Sequence, residues 1–397
     1  MRVCVIAEYY PGPHDPTKGI WAHRQAVAAT DHGAEVRVVA LHRPIPPLAA
    51  VRDPRRLWEW MATERRRTAG TTVEGIPVEH VTFVAPPRPW SYGSWGRWAA
   101  PAVGRALTRL HATWPIDLVH AHYAVPAARA ASSFVRDHQL PMVVSVHGGD
   151  VVHTAKRSPG AARAVREALA QARLVLTNSA WTSRQVEALG VDGARIEVVH
   201  LGATVPADPP EPRRRPTVSV LGDLVARKRH ADVVHAVHRL QEVVPGARLL
   251  IVGDGPERGR LLALARSLGI EDRVHFCGRL EHQDALRQVA SSHVMALPSI
   301  DEAFGVSYIE AMAAGVPAIG VRGEGGPEEI AARGGGLVLV PACDPETLAS
   351  VLGEMFVVPG RRERLAAAAR DTARTHFSWD RCGAETVRAY EQALATT

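Results

Sequence analysis

Residues 302–320 read EAFGVSYIEAMAAGVPAIG and follow the apolar run VMALPS at 294–299. This order predicts a buried strand, a short loop and then a helix that opens at Gly305 and runs to about Ala314. Gly315 is the expected left-handed end of that helix, because glycine adopts positive φ at little steric cost. The stretch therefore predicts one strand–loop–helix unit of a mostly parallel α/β sheet.

Two glutamates in this stretch indicate a ligand site. Glu302 lies in the predicted loop and Glu310 inside the otherwise apolar helix, where a carboxylate without partners is costly. Eight residues of helix span roughly 12 Å, about the distance from a sugar ring, across a diphosphate, to the ribose of a nucleotide sugar. The N–H groups of Phe304, Gly305 and Val306 would leave the positive end of the helix and meet that diphosphate. The spacing fits such a ligand.

The same stretch resembles the E-x7-E signature of the retaining family-4 glycosyltransferases of the GT-B fold. The resemblance implies an α/β protein of two Rossmann-like, doubly wound domains that face each other across a cleft. It also implies that Glu310 accepts hydrogen bonds from the ribose hydroxyls and that Glu302 holds hydroxyls of the transferred sugar beside the reacting carbon. The alternative is a helix with one glutamate at its solvent edge, and the apolar flanks and the Phe-Gly pair argue against it.

The rest of the chain alternates apolar runs with helical patterns, as a doubly wound sheet requires. The strands predicted in the first half are VCVIA (3–7), VRVVAL (36–41), DLVHAH (117–122), MVVSVH (142–147) and LVLTNS (174–179). The proline-rich stretch TVPADPPEPRRRP at 204–216 is predicted to be a surface linker. The strands predicted after it are TVSVLG, ARLLIVG, RVHFCG, VMALPS, PAIGV and GLVLV.

The linker divides the chain into two predicted domains. With the roles that the resemblance implies, residues 1–205 form the acceptor domain and residues 206–379 form the nucleotide-sugar donor domain. A closing helix at 380–397 is expected to pack back on the first domain. The length of 397 residues favours two domains over one core.

Composition narrows the class of protein. A hydrophobic content of 46% with 22% charged residues is that of a soluble globular protein, and no apolar run reaches the roughly 18 residues of a membrane span. The opening residues MRVCVIAEYYPG lack the pattern of a secretory signal, so we expect a cytoplasmic protein, with peripheral contact to the inner face of the membrane left open. The scattered cysteines, which include no C-x-x-C pair, predict reduced and buried thiols.

The net charge of +6 and the pI near 9.4 invite a nucleic-acid interpretation. The basic clusters at 65–67, 213–215 and 227–229 carry no nucleic-acid motif, so we expect no nucleic-acid partner. A modest positive net charge is equally compatible with an enzyme that binds a nucleotide diphosphate, or with one that works beside anionic lipid.

The segment 44–100 is predicted to be the least regular region. It holds five of the nine tryptophans, which are Trp58, Trp60, Trp90, Trp95 and Trp98. Basic residues mixed with tryptophan are compatible with an interfacial helix at a membrane surface or with a wall of the acceptor pocket. A surface subdomain whose tryptophans simply pack is slightly favoured over both.

The turn DLVARKRH after the strand at 217–222 is rich in cations. It resembles the family pattern G-R-L-x-x-x-K-G, so Lys228 is expected to neutralise the diphosphate of the donor. Asp223 stands where the family has an arginine, and Arg229 stands where it has the final glycine. Either Arg227 supplies the second positive charge, or the helix end carries more of the phosphate binding than usual.

In the first domain, SVHGGDV at 145–151 follows a predicted strand and resembles the family motif H-G-x-D. The resemblance makes His147 the expected catalytic residue, which would reach the donor sugar, whereas Asp150 would orient the loop or meet the acceptor. His120 and His122 share one strand face, but two histidines without a third ligand make a weak zinc site. We interpret them as strand-end residues near the cleft, with His122 as a second acceptor candidate.

The resemblance adds four more residues to the predicted donor site. Gly19 lies in the first loop, where family members use a pair of glycines near the donor phosphate. Gly278, Arg279 and Leu280 match the strand end that faces the nucleobase. By contrast, GDGPERG at 253–259 has the spacing G-x-G-x-x-x-G and a proline in its turn, so a nicotinamide cofactor is not expected.

The chain contains no D-x-D, so we expect neither a bridging metal ion nor a cofactor, and helix N–H groups with Lys228 take that role. The resemblance implies retention of the anomeric configuration, with a phosphate oxygen taking the proton of the acceptor. The expected partners are a nucleotide sugar and an acceptor such as a glycoconjugate, a lipid or a small metabolite. Oligomeric state and the identity of both substrates stay open.

The leading hypothesis is therefore a retaining glycosyltransferase. A second hypothesis is a GT-B nucleotide-sugar-binding protein without transferase activity, which the Asp223 departure and the single first-loop glycine motivate. Release of nucleoside diphosphate in the presence of an acceptor separates the two. A third, a basic nucleic-acid binder, predicts salt-sensitive retention of oligonucleotides.

Overall fold

The computed structural model describes residues 1–12, 15, 17–47, 50, 52–67 and 70–395. The chain forms two compact units. The first unit contains Met1–His200 and the chain from Cys382 onward, and the second unit contains Leu201–Arg381. The predicted first loop, the segment 44–100 and the closing helix each include a few residues that lie outside the described residues.

The sheet of the first unit has eight strands within the described residues, in the order β3-β4-β2-β1-β5-β6-β7-β8. The strands are β1 (Arg2–Ala7), β2 (Glu35–His42), β3 (Thr71–Val73), β4 (Ile76–Thr82), β5 (Leu118–His122), β6 (Met142–Val146), β7 (Leu174–Thr177) and β8 (Ile196–Val198). All neighbours are parallel except β3 and β4. Helices cover a parallel sheet on both faces, which explains why β5, β6 and β7 are buried throughout, including His120 and His122 of β5.

The helices of the first unit lie between these strands. They are α1 (Ile20–Asp31), α2 (Pro54–Arg67), α3 (Arg88–Ser91), α4 (Trp95–Thr113), α5 (Arg129–Asp137), α6 (Ala155–Arg157), α7 (Pro159–Ala170) and α8 (Ala180–Glu187). Short helical turns at Tyr92–Ser94, Ala124–Ala128 and Asp150–Thr154 complete the connections. The core between sheet and helices is built mainly from Val, Ala and Leu. Its large aromatic members are Phe83, Tyr92, Trp95, Trp114 and Phe134.

The segment 44–100 is more regular than the sequence predicted. The strand β4 within it pairs in parallel with β2, with Val38 opposite Val78, so the segment extends the sheet. Trp95 is buried, but Trp58, Trp90 and Trp98 are 72%, 83% and 52% exposed. The interpretation that the tryptophans simply pack is therefore wrong for these three. Residues 48, 49, 51, 68 and 69 of the segment lie outside the described residues.

The sheet of the second unit has six strands within the described residues, all parallel, in the order β11-β10-β9-β12-β13-β14. They are β9 (Thr217–Leu221), β10 (Arg248–Val252), β11 (Val274–Gly278), β12 (Val294–Ala296), β13 (Ala318–Val321) and β14 (Leu337–Val340). Each apolar run predicted as a strand forms one, which confirms the doubly wound α/β prediction. The run VMALPS stops being a strand after Ala296, where the chain begins to turn toward the loop with Glu302.

The helices that follow these strands are α9 (His230–Leu240), α10 (Arg258–Ser267), α11 (His282–Ala290), α12 (Val306–Ala313), α13 (Gly325–Arg333), α14 (Pro345–Val357) and α15 (Arg361–His376). The strand order reverses between β9 and β12, because β9 pairs with β10 on one side and with β12 on the other. Ligands of doubly wound sheets bind at this reversal, outside the carboxyl ends of the strands. The predicted linker at 204–216 is largely exposed, and the Arg213 N–H donates to the Ser291 carbonyl at 2.9 Å.

The last helix, α16 (Trp379–Ala395), joins the first unit from Cys382 onward. Gln25 Nε2 donates to Thr386 Oγ1 at 2.9 Å, and Tyr390 Oη lies 2.7 Å from His120 Nδ1. Gly383 lies so close to Ala28 that an added Cβ would come within 2.4 Å of the Ala28 carbonyl oxygen. These contacts fix the helix on the first unit by buried polar bonds as well as by packing. The last two residues of the predicted helix 380–397 lie outside the described residues.

Two further sequence predictions concern thiols and membrane spans. The four cysteines are free. Cys4 and Cys382 are buried, Cys277 is partly buried and Cys343 is exposed, so the prediction of buried thiols is wrong for Cys343. Among the helices of the described residues, none combines the length and the apolar character that a membrane crossing needs.

Candidate active site

The reversal point of the second sheet brings together two predicted site residues that are 74 positions apart. Lys228 lies in the turn after β9 and Glu302 in the loop after β12, and these two strands are neighbours. Lys228 Nζ donates to Glu302 Oε2 at 2.5 Å. Arg227 Nη1 lies 3.8 Å from the same oxygen. The sheet order therefore creates a cluster of two cations and one carboxylate at the expected ligand position.

The charge state of this cluster follows from its surroundings. Burial would raise the pKa of Glu302, but Lys228, Arg227 and Ser299 outweigh burial and hold the pKa below its ordinary value. Glu302 is thus ionised at neutral pH, with Lys228 as its principal counter-ion. Both side chains are largely buried, at 11% and 12% exposure, so their attraction is screened less than that of a surface pair.

The backbone of Glu302 is held by a residue that the sequence analysis missed. Glu324 Oε2 accepts a hydrogen bond from the Glu302 N–H at 2.9 Å, and the Gly326 N–H donates to the Glu302 carbonyl at 3.2 Å. Glu324 precedes α13 in the glycine-rich turn GEGG. The signal available in the sequence was an acid beside glycines after the next strand, but only the tertiary fold shows which backbone it reaches.

The helix α12 begins at the predicted glycine. Gly305 is its N-cap with φ 93°, and no side chain caps this end. Phe304 is buried, and Val306 is the first helical residue. The Tyr308 hydroxyl donates to the Leu297 carbonyl and so fixes the helix against the end of β12. The predicted left-handed stop is also confirmed, since Gly315 has φ 77°.

Replacing Gly305 by alanine tests this local geometry. A Cβ at Gly305 would lie 2.3 Å from the Tyr308 ring, and the backbone at φ 93° disfavours any side chain. We expect Gly305→Ala to lower the free energy of unfolding by about 3 kcal/mol or more, from backbone strain and overpacking together.

Gly315→Ala is the matched control for this variant. It has a similar φ of 77° but nothing within 4 Å of the added Cβ, so about 1 kcal/mol is expected. Chemical denaturation of both variants measures the difference. Equal losses would show that the Tyr308 contact contributes nothing.

Glu310 lies on α12 as predicted, and its side chain is 12% exposed. Burial raises the pKa of its carboxyl to about 8. His282 Nε2, at the start of α11, lies 3.4 Å from Glu310 Oε1. The sequence analysis missed His282, although it predicted the adjacent strand end of Gly278, Arg279 and Leu280 as the base wall.

The residues predicted to face the nucleobase lie at the end of β11 and in the loop that leads to His282. Gly278 ends the strand with φ 71°, Arg279 is exposed, and Leu280 is half-buried two residues before α11. Arg279 Nη2 lies 3.4 Å from Asp223 Oδ1. Asp223, which stands where the family pattern has an arginine, therefore contacts Arg279. Within the described residues it forms no ion pair with Arg227 or Lys228.

The second departure from the family pattern also has a structural account. Arg229 adopts the left-handed conformation, with φ 55°, at the position where the pattern has glycine. Its guanidinium donates two hydrogen bonds to Asp232, each at 2.8 Å. A paired bond of this kind offsets the strain of about 1 kcal/mol or more that positive φ imposes on a residue with a Cβ.

The predicted site residues of the first unit form a separate histidine cluster. His147 follows β6, and its Nε2 lies 2.9 Å from His122 Nδ1 at the end of β5. His120 lies two residues earlier on the same strand face and bonds Ser145 and Tyr390. Burial lowers the pKa of His147 to about 4 and that of His120 to about 3, and it lowers the pKa of His122 well below its ordinary value. All three imidazoles are neutral at pH 7.

Asp150 supports the loop that carries His147. It is fully buried, and its Oδ1 accepts a hydrogen bond from the Ala124 N–H at 3.0 Å. Burial raises the pKa of this carboxyl to about 7, although the backbone donors Ala124, Val125 and Asp150 itself act in the opposite direction. The contact links the loops after β5 and β6, and the orienting role of Asp150 stays a prediction.

Acid should destabilise the first unit through these histidines. Their folded pKa values lie below the ordinary value near 6.5, so the unfolded chain binds more protons and stability falls as pH drops from about 6.5. His147, with a pKa of about 4, contributes on the order of 3 kcal/mol over that window. Melting temperatures between pH 7 and pH 4.5 test this.

His147→Gln should flatten the pH dependence of melting. His138→Gln, at an exposed position of the same unit, should leave it as in the parent chain. An unchanged slope in His147→Gln would contradict the assignment.

The first loop adds acidic and basic residues that the sequence analysis did not select. Glu8 follows β1 and accepts a hydrogen bond from Tyr92 Oη at 2.6 Å, and Arg88 Nη1 lies 3.8 Å away from its other oxygen. The predicted Gly19 is the N-cap of α1 with φ 68°, and a Cβ there would lie 2.1 Å from the Tyr9 carbonyl oxygen. Gly19 is thus required for the loop to close on the end of β1.

In the ranges that the structure describes, no three His, Cys, Asp or Glu side chains are grouped to hold a metal ion.

Comparison with known proteins shows which family the chain belongs to. It matches the family model of glycosyltransferase family 4 over residues 19–205 and that of glycosyl transferases group 1 over residues 204–372. A relative from Corynebacterium glutamicum, named as a GDP-mannose-dependent monoacylated alpha-(1-6)-phosphatidylinositol monomannoside mannosyltransferase, is 27% identical over 304 residues. The alignment covers 71% of this chain and 78% of that relative.

Solved structures share the fold. Sucrose-phosphate synthase from Thermosynechococcus elongatus aligns over all of both chains with a TM-score of 0.79 at 18% identity. HepE of Anabaena was solved in complex with UDP-glucose, and its alignment covers 99% of this chain and 100% of the HepE chain. The TM-score is 0.73 at 18% identity. From the two family models and these folds, the chain belongs to glycosyltransferase family 4 and is a glycosyltransferase of the GT-B fold.

Proposed function

We propose that this protein transfers a sugar from a nucleotide-diphosphate sugar to an acceptor nucleophile, with retention of configuration and without a metal ion. The observation that carries the proposal is the Lys228–Glu302 pair beside the uncapped start of α12, with Glu310 buried further along the same helix. The Lys228–Glu302 pair, the positive start of α12 and Glu310 thus follow one another in the order in which a nucleotide sugar presents its sugar, diphosphate and ribose.

The diphosphate is assigned to the cations at the reversal point. Departure of the leaving group places negative charge on the diphosphate, and positive groups held in place for that charge are the main source of rate. Lys228 and Arg227 are both within 4.0 Å of Glu302 and so are already oriented toward the loop before α12. The start of α12 adds N–H groups and the positive end of the helix dipole. With no D-x-D in the sequence, these groups take the role of a metal ion.

The two glutamates are assigned to the two ends of the donor. Glu302 is ionised and accepts hydrogen bonds from hydroxyls of the transferred sugar, while it keeps Lys228 in place. Glu310 accepts hydrogen bonds from the ribose hydroxyls, and His282 lies close enough to share them. Gly278, Arg279 and Leu280 supply the surface for the base.

His147 is assigned to the sugar as a neutral imidazole. Its Nε2 is engaged by His122, and among the described residues its Nδ1 has no hydrogen-bond partner. The bond from the anomeric carbon to the phosphate oxygen breaks as the bond to the acceptor oxygen forms on the same face. The proton of the acceptor passes to a phosphate oxygen, so no side chain serves as general base. Because the acceptor oxygen attacks the anomeric carbon directly, no side chain serves as nucleophile.

Thermal-shift screening followed by an activity assay tests the proposal. GDP-mannose and UDP-glucose come first, because they appear in the names of the similar proteins, with ADP-glucose as a third probe. A ligand that binds only the folded chain raises the melting temperature. Release of nucleoside diphosphate that persists with a chelator, and an axial-to-axial or equatorial-to-equatorial product by NMR, are the expected results.

A product with inverted configuration would overturn the proposal of retention. Complete loss of turnover on addition of a chelator would overturn the proposal that no metal ion is needed. Donor binding without release of nucleoside diphosphate, across lipid, glycoconjugate and small-metabolite acceptors, would favour the binding-protein alternative. That alternative is the one motivated by Asp223, which contacts Arg279 in the structure.

A further inference from the structure

A cavity lies wholly within the first unit, and its lining contains none of the residues assigned to sugar transfer. Its volume is about 520 Å³, and it is bounded by the segment 90–97, which runs from the end of α3 into the start of α4, and by the start of α7. Four arginines line it, namely Arg97, Arg129, Arg157 and Arg163. Glu167 is the one carboxylate among its described lining residues.

The walls of this arginine cavity are held by close packing. A Cβ at Gly93 would lie 2.8 Å from the Cβ of Ala161, so the turn and α7 touch without room for a side chain. A Cβ at Gly96 would lie 2.5 Å from the Cβ of Arg129, so the stem of this arginine packs directly on α4. The two backbone segments that form the walls are therefore in close contact, and this preorganisation favours recognition over loose surface attraction.

The charges in the cavity are not balanced within the protein. Glu167 pairs with Arg163 at 2.8 Å and lies 3.9 Å from Arg129. Arg157 Nη1 donates to a backbone carbonyl, that of Arg88, at 3.2 Å. Among the described residues, Arg97 has no carboxylate within 4.0 Å. One carboxylate thus faces four guanidinium groups, and their mutual repulsion is relieved when an anion enters.

Two further features indicate which anion fits. The helix α7 presents its N-terminus to the cavity at Ser158 and Gly160, so its positive end adds to the arginines. Trp90 lines the cavity and is 83% exposed, which offers an aromatic surface beside the charges. The volume lies within the range of small-molecule sites of about 300–1,000 Å³ and exceeds what one phosphate ion fills.

We propose that the arginine cavity binds a phosphate ester, with Arg97 and Arg163 contacting the phosphate and Trp90 contacting the organic part. The planar guanidinium fork matches phosphate oxygens in pairs, which a lysine does not do. The inference goes beyond sugar transfer and does not rest on the donor-site assignment. The ester is either a soluble metabolite or the headgroup of a lipid, since both present the same group.

Two probes with the same headgroup separate these sources. Glycerol 3-phosphate represents the soluble ester and is titrated into the full chain by calorimetry at low salt. Phosphatidylcholine vesicles with and without phosphatidic acid represent the lipid and are tested by co-sedimentation. Saturable binding of glycerol 3-phosphate supports a soluble ligand, and binding to phosphatidic acid vesicles alone supports a lipid headgroup.

The test variant is Arg97→Gln with Arg163→Gln, which removes one charge from α4 and one from α7. The control is Arg105→Gln with Arg166→Gln, which removes exposed arginines from the same two helices outside the cavity. We expect the test variant to weaken binding of the effective probe about tenfold or more, and the control to stay within about twofold. Circular dichroism melting establishes that both variants fold.

Three results would overturn the proposal. One is the absence of binding to either probe by the parent chain. Another is an equal loss of binding in the test and control variants, because that would indicate attraction to overall charge. The third is undiminished binding in a folded test variant.

Discussion

Lys228→Met is expected to lower kcat/KM for the donor by about a thousandfold, which is the upper range for removing one oriented donor from a developing charge. Lys228 is largely buried and lies 2.5 Å from Glu302, whereas Arg227 lies 3.8 Å away and is more exposed. Removal of the lysine therefore takes away the principal cation near the leaving diphosphate. It also leaves the ionised Glu302 with a weaker partner, which repels an anionic donor.

Steady-state kinetics with the donor found by thermal shift measures this effect. Lys156→Met is the matched control, since it makes the same change at an exposed lysine of the first unit. It should retain kcat/KM within about twofold, as surface substitutions usually do. A folded Lys228→Met enzyme with nearly full activity would remove the diphosphate from this site.

Glu310→Gln is expected to lower kcat/KM by about a hundredfold. The variant keeps the shape of the side chain but cannot ionise, and the ionised carboxylate is the form proposed to accept ribose hydrogen bonds, each worth about 1.5–3 kcal/mol when one partner is charged. Most of the loss should appear in donor affinity, because the ribose lies far from the reacting carbon. Glu346→Gln, an exposed glutamate of the same unit, serves as the control.

The pH dependence of donor binding gives a second readout for Glu310. Its pKa of about 8 in the free protein means that the carboxyl is mostly protonated at neutral pH. If the donor binds the ionised form, affinity rises with pH up to about 8 and then levels off. Glu310→Gln should abolish this rise, and a parent-like pH profile in the variant would contradict the assignment.

Donor affinity is expected to rise with pH through Glu310, whereas the free energy of unfolding should fall with pH through the same residue. A folded pKa above the unfolded value means that the stability present below about 4.5 is lost as pH rises through about 8. At alkaline pH, Glu310→Gln should therefore melt no lower than the parent chain. This result would separate a lost binding function from a damaged fold.

The sequence was a good guide to elements whose signal is local. The glycines at 305 and 315 predicted both ends of α12, because positive φ is a property of one residue and its immediate neighbours. The apolar runs predicted the strands, since a strand covered on both faces needs a continuous apolar stretch. The segment 44–100 was the exception, because β4 is stabilised by pairing with β2 and its own pattern is weak.

The candidate site was only partly predictable. Lys228, Glu302 and Glu310 were found because each lies in a short pattern that is readable by itself. His282 and Glu324 were missed because their importance comes from contacts with Glu310 and Glu302, far along the chain. No local pattern distinguishes such a histidine or glutamate from the many that face solvent.

By itself the sequence determined which residues form strands, which glycines end helices and which carboxylates lie in an apolar helix. These properties depend on backbone sterics and on hydrophobic periodicity over a few residues. Only the tertiary structure decided that Lys228 neutralises Glu302, that Arg229 bonds Asp232 in place of a glycine, and that four arginines surround one cavity. Those contacts depend on the order of strands in the sheets and on helix packing, which join residues that are distant along the chain.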